Sequence, residues 1–137
     1  MTETTRIGFV CVQSAGRSQM ATAFAEQERN KRGLEAEVDI VTGGTAPAES
    51  VHNIVIRVME EVDIDIAERS PQKITPAELE QCDVVATMGC STLELETTVD
   101  VRDWALADPD DATVEEARAI RDAVRSNVQA LFDELQR

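Results

Sequence analysis

The sequence predicts an α/β fold, a three-layer doubly wound domain with a four-stranded parallel sheet, from three observations. Short apolar runs typical of buried strands alternate with longer stretches whose apolar spacing is typical of helices. No linker, repeat or low-complexity segment interrupts residues 1–137, which we therefore interpret as a single domain. An apolar content of 42% is enough for one core. Because parallel strands need crossover connections, the helices are expected on both faces of the sheet.

The first half of the chain supplies two strands and two helices. Residues 6–12 form an apolar run that indicates a buried strand, and a helix is expected from Arg17 to about residue 32, closed near Gly33. Residues 35–42 alternate weakly and predict a second strand that stops at two glycines. Apolar side chains at three- and four-residue spacing over 51–62 predict an amphipathic helix.

The second half supplies two more strands and two more helices. Thr75, followed by proline and Glu78, has the pattern of a capped helix start, and residues 83–88 and 98–104 are expected to be strands. Thr113 and Glu116 form a second capping box. It begins a final helix with one apolar stripe: Ile120, Val124, Val128, Leu131 and Leu135. The glutamates of the helices are expected on solvated faces.

The charge balance excludes two classes of partner. Thirteen basic and 27 acidic side chains give a net charge of −14, and the only lysines are Lys31 and Lys73. Nucleic acids and anionic membranes would be repelled, so neither is an expected partner. No apolar run approaches the roughly 18 residues of a membrane span, and a cytoplasmic location is expected. Such acidity is typical of a salt-adapted host, although an ordinary acidic protein remains the alternative.

Three cysteines, Cys11, Cys82 and Cys90, cannot all pair within the chain. An odd count in a cytosolic protein indicates buried thiols or redox chemistry rather than a disulfide framework. With a single histidine, His52, the usual metal ligands are poorly supplied, so neither a metal nor another cofactor is expected. His52 is interpreted as a surface or cap residue rather than an acid–base group.

The strongest chemical signal is a cysteine at a strand end, followed after five small or polar residues by arginine and serine at a helix start. Such a loop can turn successive backbone N–H groups into one concavity that binds a tetrahedral oxyanion. The arginine can grip two oxygens at once, and the same donors favour the thiolate over the thiol. The alternative is a structural cysteine. The candidate residues are Cys11, Val12, Gln13, Ser14, Ala15, Gly16, Arg17 and Ser18.

Residues 11–18 and the segments after them resemble the low-molecular-weight protein-tyrosine-phosphatase superfamily, and its arsenate reductase branch in particular. The resemblance covers nearly the whole chain and implies the fold predicted above. The matching motifs are Gln19-Met20-Ala21, Thr42-Gly43-Gly44-Thr45 with Pro47, Val51-His52, Met59-Glu60, Ile64-Asp65-Ile66, Asp83-Val84-Val85, Thr87-Met88-Gly89-Cys90, and Asp103-Trp104 ahead of Asp108-Pro109.

Two further side chains acquire candidate roles at the same edge of the sheet. A carboxylic acid at Asp108 could protonate the oxygen that leaves the anion, although the residues alone fit a plain Asp-Pro turn. Cys90 is the only internal candidate for a thiol that resolves a Cys11 adduct, with a structural cysteine as the alternative. Cys82 lies at the far end of its strand and is interpreted as core. Trp104 is interpreted as packing rather than as a substrate wall.

Three functions share this pocket: an arsenate reductase, a low-molecular-weight phosphatase, and a non-catalytic oxyanion-binding domain. The chain has no tyrosine to line an aryl slot, which favours a small oxyanion, arsenate or phosphate. It departs from the reductase pattern at Ser14, where the family generally has asparagine. It also lacks a second cysteine shortly after Cys90. Resolution is therefore expected through Cys11 and Cys90 directly, or by a redoxin or a low-molecular-weight thiol.

Overall fold

A computed structural model describes residues 4–11, 16–44, 49–88, 100–104 and 112–135 of the protein. Within these ranges the strands are β1 (Thr5–Cys11), β2 (Val38–Gly44), β3 (Val84–Thr87) and β4 (Asp100–Asp103). The helices are α1 (Arg17–Lys31), α2 (Asn53–Glu60), α3 (Pro76–Leu79) and α4 (Val114–Leu135). None of the described helices combines the length and apolar character needed to span a bilayer.

The four strands form one parallel sheet in the order β2-β1-β3-β4. Both neighbours of β1 are therefore reached by crossovers, which puts the first strand of the chain at the inside of the sheet. Cys11 is paired with Gly44 of β2, and Val10 with Thr87 of β3. Thr87 is in turn paired with Asp103 of β4. All four strands thus end at one edge, which we call the carboxyl edge.

The two faces of the sheet bury different side chains because residues along a strand alternate. Ile7 and Phe9 face the larger apolar cluster, which contains buried side chains of α1, α2 and α4. Val10 and Val85 face a smaller cluster with Leu79 of α3. Helices on both faces make the domain three-layered, so the predicted fold class is confirmed.

Gly8 shows why the smaller face packs so closely. A Cβ built at Gly8 would lie 3.1 Å from Cys82 Sγ and 3.1 Å from a methyl carbon of Leu79. That spacing is tighter than ordinary contact, so α3 and the turn after it fit against β1 because this strand position has no side chain. A larger residue here would push the Cys82 region away from the sheet.

Most element boundaries lie within a few residues of the predicted ones. β2 begins later than expected and continues through both glycines to Gly44, because their backbone groups still pair with β1. The amphipathic helix is shorter than the 51–62 pattern, since the chain turns after Glu60 and Asp63 adopts a φ of 63°. Gly33 follows α1 with a φ of 69°, a conformation that glycine adopts without strain, so the predicted helix stop is confirmed.

The capping box at α4 has the predicted reciprocal geometry. The Thr113 hydroxyl accepts from the Glu116 N–H at 3.1 Å, and the Glu116 carboxylate accepts from the Thr113 N–H at 3.1 Å. At α3 only half of the pattern forms: the Thr75 hydroxyl accepts from the Glu78 N–H at 3.3 Å, but the Glu78 carboxylate bonds to that hydroxyl rather than to a backbone N–H.

Glu28 corrects the expectation that helix glutamates are solvated. It is only 6% exposed, and Arg32 Nε donates to its carboxylate at 2.9 Å. Gln129 of α4 also reaches this carboxylate, at 3.5 Å. Arg32 bonds to Asp133 as well, so one arginine joins α1 to α4 through two acids. A buried acid needs such partners because an unpaired charge away from water is costly.

Glu61 connects the end of α2 to α4 and should make stability depend on pH. It accepts hydrogen bonds from Arg118 and Arg121, and these bonds, chiefly the one from Arg118, lower the pKa of Glu61 from 4.5 to about 2. A lowered folded-state pKa stabilises the protein above the unfolded value, and this contribution is lost as the pH falls toward 2. We expect Glu61→Gln to be less stable than the wild type at pH 7, with a difference that shrinks between pH 5 and pH 2.

Urea unfolding of both proteins across this range tests the expectation. Glu60→Gln is the matched control, because Glu60 is exposed and makes no ion pair with the residues that the structure describes. A Glu61→Gln deficit that stays constant with pH, or one that Glu60→Gln reproduces, would contradict it. High salt should also reduce the deficit, since the ion pairs are partly exposed to solvent.

Candidate active site

The carboxyl edge brings together the strand ends from which the predicted site segments leave. The Met88 N–H donates to the Val10 carbonyl at 3.0 Å, so the chain leaves β3 directly beside Cys11. The Trp104 N–H donates to the Thr87 carbonyl at 2.7 Å, so the chain leaves β4 next along the same edge. Ligands of such sheets bind where the strands end, which is where these segments depart.

The N-terminus of α1 lies at this edge as predicted. Gly16 is buried and precedes the helix with a φ of −139°, and its carbonyl accepts the first helical bond from the Met20 N–H at 3.0 Å. Glycine offers no side chain to cap the first turn, so no side-chain hydrogen bond caps the helix here. The first-turn N–H groups and the helix dipole therefore favour an anion at this position.

The first turn of α1 is held firmly in the protein. Arg17 is half-buried, whereas Ser18 is fully buried and Gln19 is 2% exposed. The Ser18 carbonyl accepts from the Thr22 hydroxyl at 2.7 Å, and Gln19 Nε2 donates to the Ser70 carbonyl at 3.5 Å. Rigid packing behind Arg17 is what a preorganised anion site requires, because a loose support would misplace the guanidinium.

The predicted site residues divide between described and undescribed parts of the chain. The structure places the Cys11 backbone at the end of β1, and Gly16, Arg17 and Ser18 at the start of α1. The remaining candidates lie outside the described residues, so their predicted roles stay predictions. They are Val12, Gln13, Ser14, Ala15, Cys90 and Asp108.

Cys82 lies far from this edge and in the core, as the sequence predicts. It precedes β3 and is 5% exposed, and burial raises the pKa of its thiol. Because Val84 pairs with Ile7, Cys82 is level with Thr5 at the start of β1. Thr5 precedes Cys11 by six residues along that strand. At a strand rise of about 3.3 Å per residue this separation is roughly 20 Å, too far for a disulfide.

The structure also bears on the histidine and the tryptophan. His52 is the N-cap residue of α2 with an extended backbone, and its side chain makes no capping hydrogen bond. Trp104 packs on the larger cluster, with its ring 6.0 Å from that of Phe9. The predictions of a position at the helix start and of a packing role are thus confirmed. Among the described residues, no group of three or more His, Cys, Asp or Glu could hold a metal ion.

Sequence reasoning missed one segment at the carboxyl edge. Residues 72–74 run beside the end of β2: the Gly44 N–H donates to the Gln72 carbonyl at 2.8 Å, and the Ile74 N–H donates to the Gly44 carbonyl at 3.2 Å. This pairing makes Lys73 the bridge partner of Gly44. A single bridge has no periodic signature, so no pattern in the sequence could have indicated it.

Comparison with known proteins is consistent with this geometry. Residues 6–137 match the family model described as low molecular weight phosphotyrosine protein phosphatase. A protein of Halobacterium salinarum named "Putative arsenate reductase" is 61% identical over 132 residues, covering 96% of this chain and 93% of the relative. The "Glutaredoxin arsenate reductase" of Synechocystis is 34% identical, covering 93% and 95%. The first of these relatives is a halophilic homologue, which is consistent with the predicted salt adaptation.

Solved structures give the same result at the level of the fold. "An arsenate reductase in oxidized state" superposes with a TM-score of 0.79 at 28% identity, covering 95% of this chain and 98% of that one. A tyrosine phosphatase of Erwinia amylovora superposes with a TM-score of 0.82 at 16% identity, covering 98% and 95%, which shows the shared fold alone. From the match over residues 6–137 and the 61% identity to the Halobacterium relative, the chain belongs to the low molecular weight phosphotyrosine protein phosphatase family of enzymes.

Proposed function

We propose that the protein is a thiol-dependent arsenate reductase. The observation that carries the proposal is sequence identity. The two relatives named arsenate reductase are 61% and 34% identical to this chain, whereas the tyrosine phosphatase that shares its fold is 16% identical. The absence of tyrosine supports it, because a phosphatase for aryl substrates needs aromatic walls. A phosphatase acting on small phosphoesters is the second candidate, favoured only by the family that both activities share.

In the proposed first step, the 11–18 loop holds a tetrahedral oxyanion against the N-terminus of α1. Arg17 grips two of its oxygens, and the first-turn N–H groups stabilise both the anion and the Cys11 thiolate. The thiolate attacks arsenic and forms a sulfur–arsenic bond. Asp108 protonates the departing oxygen, which leaves as water.

In the second step, the Cys90 thiolate attacks the Cys11 sulfur. A disulfide forms, the sulfur–arsenic bond breaks, and its electron pair stays on arsenic, which is reduced from As(V) to As(III) and leaves as arsenite. The two thiols lose two electrons in total. A redoxin dithiol or a low-molecular-weight thiol then reduces the Cys11–Cys90 disulfide. The strand register supports this pairing, because Met88, the residue after β3, lies beside the end of β1 and precedes Cys90 by two residues.

Reduced protein incubated with arsenate, without any added thiol, tests this sequence of steps. We expect one arsenite per chain, and a mass lower by two hydrogens, with the disulfide mapped to Cys11 and Cys90 by peptide digestion. Cys90→Ser should form the arsenic adduct yet release arsenite only when an external thiol is added. Cys82→Ser is the matched control and should behave like the wild type, because Cys82 is buried about 20 Å from Cys11.

The same preparation with an aryl phosphate separates the two candidate functions. Steady hydrolysis without thiol consumption, together with no arsenite from arsenate, would establish the phosphatase instead. Tight phosphate binding with neither reaction would identify a non-catalytic oxyanion-binding domain.

A further inference from the structure

Lys73 occupies an unusual place for a positive charge in this chain. It is one of only two lysines in a protein whose net charge is −14. It lies at the carboxyl edge as the bridge partner of Gly44, and Gly44 is the strand partner of Cys11. The three residues therefore form one row across the end of the sheet, with Lys73 and Cys11 on either side of a glycine.

The row brings the lysine within electrostatic reach of the proposed nucleophile. Neighbouring strands lie about 4.8 Å apart, so the Cα atoms of Lys73 and Cys11 are separated by roughly 10 Å. Because the middle residue is Gly44, no side chain of the row stands between them. The Lys73 side chain is exposed and makes no ion pair with any described residue, which leaves its charge directed at solvent and approaching solutes.

Two other cationic residues of the described ranges lie near the start of α1, Arg69 and Arg17, and each already has an assigned partner or role. Arg69 forms an ion pair with Glu26 of α1, so an anionic partner already stands beside its charge. Arg17 is assigned to hold two oxygens of the bound anion in the 11–18 loop. The net charge of −14 repels an approaching dianion. A positive charge close to Cys11 opposes that repulsion locally and raises the concentration of the anion there.

We propose that Lys73 is an electrostatic guide that draws the anionic substrate to Cys11. This inference rests on the proposed function, since it names a residue that serves the same oxyanion site. It adds a residue outside the 11–18 loop, on a segment that pairs with Gly44, the strand partner of Cys11. Lys73 acts on the approach and local concentration of the anion rather than on bond making or breaking.

The other lysine provides a matched control. Lys31 is also exposed, and its replacement by glutamine changes the net charge by the same amount. It ends α1, fourteen residues from Arg17 and thus about 21 Å along the helix from the site. Any effect of Lys73→Gln that Lys31→Gln lacks is therefore due to position and not to total charge.

Alkylation of Cys11 measures the field without requiring turnover. Iodoacetate carries a charge of −1 and iodoacetamide carries none, so the ratio of their rates at Cys11 cancels any change in the thiolate fraction. At about 10 mM ionic strength, where the Debye length is about 30 Å, we expect Lys73→Gln to lower this ratio about 1.5- to 2-fold. Arsenate is a dianion, and its kcat/KM should fall about two- to fourfold under the same conditions.

Both effects should vanish at about 1 M salt, where the Debye length is about 3 Å. Lys73→Arg should retain the wild-type values, and Lys31→Gln should match the wild type throughout. Sucrose supports the fold at low ionic strength without adding charge, and circular dichroism verifies that each variant is folded. Digestion and mass spectrometry assign the alkylated cysteine.

Two results would overturn the inference: a wild-type alkylation ratio in Lys73→Gln at low salt, or an equal decrease in Lys31→Gln. Either leaves the proposed reductase intact if arsenite is still released. Conversely, a lowered ratio in Lys73→Gln combined with no arsenite from the wild type would retain the guide and reject the reductase.

Discussion

Cys11→Ser is expected to abolish arsenate reduction, lowering the rate at least about a thousandfold, as is typical when a covalent nucleophile is removed. The thiolate is the attacking species, and the serine hydroxyl is not ionised near neutral pH. Serine also cannot form the disulfide whose formation supplies the two electrons that reduce arsenic. Oxyanion binding should persist, because Arg17 and the first turn of α1 are unchanged. Arsenite release and phosphate binding by calorimetry measure the two properties separately.

Cys82→Ser is the control that separates chemistry from a general loss of thiols. It should keep its activity per folded molecule, since its buried site is remote from the carboxyl edge. Its unfolding midpoint in urea should decrease, because a hydroxyl replaces a thiol among apolar neighbours. Residual turnover in Cys11→Ser comparable to the wild type would refute the assignment of the nucleophile, as would loss of activity in folded Cys82→Ser.

The order of the elements and the sheet could be predicted because each strand and helix carries its own local pattern. β3 is buried at all four positions, and α4 has one apolar stripe and a capping box, so composition and spacing were sufficient. Boundaries were less predictable where tertiary pairing extended an element. The glycines of β2 illustrate this, since backbone bonds to β1 retain them in the strand despite their low strand preference.

The candidate site was predictable in part for the same reason. Cys11 ends a strand, and Gly16 and Arg17 begin the helix that follows it in the chain. Their short spacing in the sequence therefore predicts that they lie at the same edge of the sheet. Lys73 could not be found in this way, because its place beside Gly44 depends on a bridge between segments 29 residues apart. Glu28 could not be recognised as buried either, since its partner Gln129 comes from α4 and only packing brings the two helices together.

Arg17→Lys is expected to reduce kcat/KM for arsenate about a hundredfold, the usual loss when a preorganised donor to a developing charge is removed. Arginine presents two parallel N–H groups to two oxygens of a tetrahedral anion, whereas lysine offers a single point charge on a flexible stem. The variant keeps the net charge, so a change in long-range attraction cannot account for the loss. Phosphate protection of Cys11 against iodoacetamide should weaken in parallel.

Arg6→Lys is the matched control for this substitution. Arg6 lies five residues before Cys11 on the same strand, at the opposite edge of the sheet, where it pairs with Asp39 at 3.4 Å. Both partners of that pair are substantially exposed, so Arg6→Lys should change the free energy of unfolding of the protein little. Unfolding in urea verifies that Arg17→Lys remains folded. If folded Arg17→Lys retained wild-type kcat/KM and phosphate protection, the anion would have to be held by the backbone donors alone, and the bidentate role of Arg17 would be wrong.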